Sequence, residues 1–127
     1  MDLFTTFSKI AGAKLPDDRI IDGVDLSATL FEGKVSPRED MFYYRGTELY
    51  AVRLGDYKAH FITQGAYGEF GERQEHDPPL LYNLSHDPGE KFDVANDHTE
   101  IIDKIKLLVE EHESKLVKGK DMLVDRE

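Results

Sequence analysis

Residues 41–63 read MFYYRGTELYAVRLGDYKAHFIT, and this stretch decides the fold. Met41-Phe42-Tyr43-Tyr44, Leu49-Tyr50-Ala51-Val52 and Tyr57-Lys58-Ala59-His60-Phe61-Ile62-Thr63 are aromatic and β-branched runs of strand length. Gly46-Thr47 separates the first pair and Gly55-Asp56 the second, so both connections are short enough for antiparallel hairpins. The spacing therefore predicts a three-stranded meander. In the third run, alternation puts Lys58, His60, Ile62 and Gln64 on one face and Tyr57, Ala59, Phe61 and Thr63 on the other.

Downstream, residues 64–79 are rich in Gly and Glu and read as a loop, while Leu80-Leu81-Tyr82-Asn83-Leu84 reads as a fourth strand before a turn at Asp87-Pro88-Gly89. Asp97 and Glu100 stand at capping-box spacing. Ile101, Ile105, Leu108, His112 and Leu116 then recur on one face, with Ile102 and Val109 beside them, which predicts a long helix ending near Gly119 and a charged tail over 120–127. Upstream, Leu3, Phe4, Phe7, Ile10 and Ala11 form an apolar stripe at helical spacing that Gly12 would end. A polar loop follows, and Ser27 reads as the cap of one or two turns ending near Gly33. The fold class is thus α+β, a four-stranded antiparallel sheet with a long C-terminal helix packed on it.

With 127 residues and no internal repeat, the chain is the size of one domain. Its formal charge of −10 would repel a phosphate backbone, so no nucleic acid and no anionic membrane is expected as a partner. No apolar run approaches the roughly 20 residues that span a bilayer, and the first residues lack the pattern of a signal peptide. The absence of cysteine excludes a disulfide, a thiolate nucleophile and thiolate-bound zinc.

Several residue sets invite a chemical reading and have a plainer one. His76-Asp77-Pro78 and His86-Asp87-Pro88 combine imidazole and carboxylate, yet Asp-Pro punctuation of turns accounts for both. Asp17, Asp18, Asp22 and Asp25 lack the order of a calcium loop and read as a solvated acidic segment. Ser36-Pro37-Arg38 has no nucleophile elbow and reads as a loop into the first strand. His112, on the apolar face of the last helix, reads as a core or boundary residue. His60, inside a strand, is either a histidine satisfied by a neighbour or, with Thr63 and Gln64, part of a strand end presented to an anionic ligand.

Taken in order, Phe42-Tyr43-Tyr44-Arg45-Gly46, the run from Ala51 to Gln64 and Pro78-Pro79-Leu80-Leu81-Tyr82-Asn83-Leu84 resemble the C-terminal region of sulfatases of the arylsulfatase A and N-acetylgalactosamine-6-sulfatase type. Asp2-Leu3-Phe4, Leu15-Pro16, Ile21-Asp22-Gly23-Val24-Asp25-Leu26 and Asp87-Pro88-Gly89-Glu90 agree with the same family. The resemblance implies the small C-terminal subdomain of the alkaline phosphatase-like sulfatase fold, with residues 1–38 linking from a catalytic domain and residues 39–127 forming the C-terminal domain. It implies a sulfuric ester hydrolase in which calcium and a formylglycine do the chemistry in the full-length enzyme.

Neither group is expected in this chain. The formylglycine motif, Cys or Ser-x-Pro-x-Arg, does not occur, and Ser36-Pro37-Arg38 has the wrong spacing. No catalytic and no metal residue is assigned, and the isolated chain is expected to be inactive. The resemblance places the third strand and following loop toward the active-site mouth, which makes His60, Thr63, Gln64 and His76 candidates for shaping the substrate pocket. Ala66-Tyr67-Gly68-Glu69-Phe70-Gly71-Glu72 departs from the family pattern. The implied partners are the N-terminal catalytic domain and its sulfate ester substrate, and full-length relatives are periplasmic, secreted or lysosomal. Phe4, Phe7, Phe42 or Tyr44 is expected to supply an apolar patch that favours self-association of the isolated chain.

Two other readings belong to different classes. A free-standing α+β interaction module would bind a protein or an anionic glycan without turnover. An independent hydrolase built on the His-Asp pairs would show metal-dependent turnover by this chain alone, lost when His76 or His86 is replaced.

Overall fold

A computed structural model describes residues 1–65 and 71–119. These fall into two compact units, Met1–Glu39 and Asp40–Glu127. The expected tail over 120–127 and residues 66–70 of the divergent stretch lie outside the described residues.

The first unit holds α1 (Asp2–Ile10) and α2 (Ser27–Glu32), each followed by a glycine with φ near +67°, Gly12 and Gly33. Ser27 is the first helical residue of α2, and its N–H is accepted by Asp25 Oδ1 at 2.9 Å, so Asp25 supplies the side-chain acceptor expected of Ser27. The polar face of α1 is the one that packs. Thr5 Oγ1 donates to the Gly23 carbonyl, while Asp2 Oδ1 and Thr6 Oγ1 accept the Val24 and Leu26 N–H groups, each at 3.0 Å. Thr6 is wholly buried, whereas Phe4 and Phe7 remain 55% and 59% exposed. Leu3 and Ile10 are exposed with them.

Arg38 Nε donates to Asp2 Oδ2 at 2.7 Å, a second guanidinium nitrogen pairs with Asp2 Oδ1, and that nitrogen also donates to the Asp22 carbonyl at 2.7 Å. Arg38 hydrogen bonding, with a smaller contribution from the Val24 N–H, pulls the Asp2 carboxyl down to about 2 against the opposing effect of burial. The sign follows directly. A carboxyl whose folded value lies below its unfolded value, 3.8, stabilises the unit above pH 3.8 and loses that contribution as pH falls through about 2. Carboxyl carbon NMR is therefore expected to show Asp2 titrating near 2, with the Val24 amide losing hydrogen-exchange protection over the same range. Titration near 3.8 would contradict the pairing.

The second unit is a single sheet in the order β1 (Asp40–Arg45), β2 (Glu48–Leu54), β3 (Tyr57–Thr63), β4 (Gln74–Asn83), all antiparallel, followed by α3 (Thr99–Lys115). Both expected hairpins form. Gly46 and Gly55 take φ of 59° and 58°, a region glycine enters without the Cβ penalty. Phe42, Val52, Ala59 and Leu81 stand opposite one another across the four strands. Val52, Ala59 and Leu81 from this row are fully buried in one core with Ala95, Ile102 and Ile105. Burial of this row against the apolar stripe of α3 holds helix to sheet.

Four sequence expectations are corrected here. Gln74–Pro79, read as loop, is the first part of β4; it lies on an edge strand, where prolines are tolerated because no neighbour needs their missing N–H. The first Asp-Pro pair, Asp77-Pro78, is therefore in a strand and not a turn, with a cis peptide bond, whereas Asp87 does organise a turn by accepting the Lys91 and Phe92 N–H groups at 2.6 and 2.8 Å. The capping box is not made. The Asp97 N–H closes a turn onto the Val94 carbonyl, His98 becomes the N-cap without a side-chain cap bond, and the helix stops at Lys115, before Gly119, where Leu116 turns extended. Finally, Phe42 and Tyr44 do not join an exposed patch: Phe42 stacks on His112 at 3.8 Å between ring centroids and packs on the core, and Tyr44 lies 5.9 Å from the same ring.

Candidate functional site

A one-residue irregularity shapes the sheet face opposite α3. Tyr43 pairs with Ala51 but Tyr44 with Leu49, so Tyr50 is an extra residue in β2. Such a bulge re-aims a side chain, and Tyr50 joins Tyr43, Ala51, Lys58 and His60 in lining one hollow, while Leu49 packs on the core. The hollow has a volume of about 260 Å³ and is completed by Ile62, Thr63 and Gln64 at the end of β3.

Three of the four sequence candidates, His60, Thr63 and Gln64, thus surround one space. The fourth, His76, is joined to it through Thr63, whose Oγ1 lies 2.8 Å from His76 Nε2. His76 itself lines a larger groove of about 630 Å³ between the sheet and α3, with Arg73, Lys106 and Val109 among its walls.

The polar groups are held by specific partners. Gln64 Oε1 accepts from Tyr50 Oη at 2.8 Å and from Arg45 Nη1 at 2.9 Å. Lys58 Nζ donates to Glu90 Oε1 at 2.7 Å and stands 5.0 Å from the centre of the Tyr43 ring. His60 Nε2 meets the other oxygen, Glu90 Oε2, at 2.8 Å, and the Tyr82 ring approaches His60 edge-on. Burial, then the Lys58 charge, hold the His60 imidazole below its ordinary value despite the opposing pull of Glu90. Burial works against ionisation of Glu90, and the Lys58 hydrogen bond and charge outweigh it, so this carboxyl sits below its usual value.

Lys58 and Glu90 were not among the sequence candidates. Glu90 adopts φ of 51°, the left-handed region, and its carboxylate meets Lys58 and His60 of β3. Nothing in a polar loop residue announces that. The signal available was Asp87-Pro88-Gly89, a turn tight enough to return the chain to the sheet.

The remaining sets do not assemble a metal centre. Among the described residues no group of three His, Cys, Asp or Glu side chains could hold an ion. Asp18 pairs with Arg19 and Asp25 with Lys9, and Ser36 Oγ accepts the Arg38 N–H at 3.2 Å as a local loop tie. These residues do not fit calcium or a formylglycine, and no chemical step is routed through either. The hollow presents two aromatic rings, an amide, an imidazole and an ammonium, with the hydroxyls of Thr63 and the two tyrosines.

Residues 36–127 match the family model for the C-terminal region of aryl-sulfatase. The chain is 39% identical to arylsulfatase of Hemicentrotus pulcherrimus, over 97% of its own length and 27% of that protein's. It is 39% identical to N-acetylgalactosamine-6-sulfatase of Sus scrofa, over 97% of this chain and 28% of that one, and 40% identical to human arylsulfatase A over 85% and 25%. It therefore spans about a quarter of the length of these relatives. The PsFucS1 sulfatase from a Pseudoalteromonas species shares the fold, with a TM-score of 0.79 over 95% of this chain and 26% of that one at 22% identity.

Proposed function

Because this chain belongs to the sulfatase family, as a C-terminal region of the arylsulfatase type, we propose that it completes the fold of a sulfuric ester hydrolase and walls part of its substrate pocket. The observation that carries the second half is the meeting of His60, Thr63 and Gln64 around one hollow at the end of β3, with His76 tied to it. In this reading calcium and formylglycine belong to the catalytic region and supply the attack on sulfur there. This chain contributes orientation, by contacts with the non-reacting part of the sulfate ester, so that binding energy is used to place the reacting bond. The exposed Leu3, Phe4, Phe7 and Ile10 stripe of α1 is assigned to the catalytic region, and in its absence to self-association.

The test is a chimaera in which this chain replaces the C-terminal quarter of the Hemicentrotus pulcherrimus arylsulfatase, assayed on 4-nitrocatechol sulfate. Turnover is expected from the chimaera and none from this chain alone with added calcium. Thr63→Ala in the chimaera is expected to raise KM about 3- to 10-fold with little change in kcat, the loss of about 1 kcal/mol of uniform binding. A chimaera that folds but has no turnover, or one that does not fold, would remove this reading. Metal-dependent turnover by the isolated chain, abolished at His76 or His86, would install the independent-hydrolase reading instead.

A further inference from the structure

The hollow has a donor and acceptor pattern that a single residue outside it decides. Glu90 is a carboxylate held ionised by Lys58, and an ionised carboxylate only accepts hydrogen bonds. His60 Nε2, 2.8 Å from it, must therefore carry the proton and donate. In a neutral imidazole the other ring nitrogen is then an acceptor, and burial keeps His60 on the neutral side. His60 Nδ1 has no hydrogen-bond partner among the described residues.

Gln64 shows the complementary arrangement. Arg45 can only donate, so the atom it meets is the amide oxygen, which also accepts from Tyr50. The Gln64 NH2 is left with two donors and no partner among the described residues. Among the described residues of the lining the one formal cation, Lys58, has its charge matched by Glu90, and Arg45, outside the lining, donates to Gln64 Oε1 and lies 6.0 Å from the centre of the Tyr50 ring. A space of this kind, bordered by two tyrosines, offers little to a bare anion. It suits a ligand that brings a hydroxyl to donate, an oxygen to accept and a C–H face to lie on an aromatic ring.

We propose that the hollow at Tyr43, Tyr50, His60 and Gln64 binds an uncharged sugar ring through its hydroxyls, and that Glu90 is the positioning residue that fixes His60 Nδ1 as the acceptor. The inference rests on the substrate-wall reading and narrows it: the sulfate group is held elsewhere, and this site reads the non-sulfated part of the substrate. Glu90→Gln gives a sharp consequence. Lys58 can only donate, so the glutamine oxygen turns to Lys58, its NH2 faces His60 Nε2, and the imidazole proton moves to Nδ1. The site then presents a donor where it presented an acceptor.

The experiment uses the full chain labelled with 15N, with the His60 ring identified by loss of its signals in His60→Gln. Long-range 1H–15N spectra at pH 7.5 are expected to show Nε2 protonated and Nδ1 bare in the wild type, and the reverse in Glu90→Gln. Methyl β-galactopyranoside or methyl β-glucopyranoside is expected to move the His60 Nδ1 and Gln64 side-chain signals, and sodium sulfate to move neither. Glu90→Gln is expected to weaken that binding about 3- to 10-fold, the worth of one hydrogen bond. An Nδ1-protonated wild type, an unchanged tautomer in Glu90→Gln, no response to either glycoside, or a response to sulfate would each overturn the inference. A correct tautomer and glycoside response beside an inactive chimaera would keep this site and remove the sulfatase-wall reading, so the two failures are distinct.

Discussion

Leu81→Ala is expected to destabilise the Asp40–Glu127 unit by about 2–5 kcal/mol, a large fraction of the ~5–15 kcal/mol that holds a domain of ordinary size. Leu81 is fully buried, stands opposite Ala59 in the ladder and belongs to the core shared with Ile102 and Ile105. Its neighbours cannot close over the gap, because Ala59 is already small and the backbone at Leu81 is pinned on both edges. On the outer edge the Leu81 N–H donates to Asp93 Oδ1 at 2.9 Å and its carbonyl accepts the Val94 N–H at 2.8 Å. Urea unfolding followed by circular dichroism checks this, since the chain has no tryptophan to report. Leu107→Ala, at a position of α3 that is 65% exposed, is the comparison and should change the midpoint little. Equal shifts for the two variants would mean that the row across the sheet is not the core.

Gly23→Ala should produce the largest change in the first unit. A Cβ built there lies 2.5 Å from Thr5 Oγ1 and 2.7 Å from the Met1 carbonyl oxygen, and the second is backbone that cannot swing aside. The 22–26 segment must move off α1, and overpacking of this kind costs about 1–3 kcal/mol. The bonds lost with it are those of Val24 N–H to Asp2 and Leu26 N–H to Thr6. Amide exchange is the measurement: protection at Val24 and Leu26 should fall together in Gly23→Ala, and survival of either would show that the segment holds by other contacts.

Sequence patterning reached the meander because its runs are long in aromatic and β-branched residues and its turns carry glycine where φ is positive. It missed the first half of β4, since Gln-Glu-His-Asp-Pro-Pro has turn chemistry and pairs only along one edge. It missed the bulge at Tyr50 for another reason. An extra residue in one strand is defined by its partner's register, and register is a property of two segments. The cap of α3 followed the same logic: Asp97 had the spacing of a capping residue, but a preceding turn claimed its backbone. For the candidate hollow, alternation placed His60 and Gln64 on one face but Thr63 on the other, and the register shift between His60 and Ile62, which no single strand reveals, accompanies the meeting of all three. Glu90 and Lys58 were not legible, because their pairing joins β3 to a loop residue beyond β4 whose backbone is left-handed.

That left-handed residue sets two selective demands against each other. An L-residue other than glycine at φ of 51° costs about 1–2 kcal/mol. Glycine at position 90 would be relieved of that strain but would leave the part-buried Lys58 ammonium without its counter-charge. The carboxylate lost in the exchange is the shared anchor of Lys58 and His60. Position 90 is thus held to a strained residue by the one carboxylate that two side chains of β3 share.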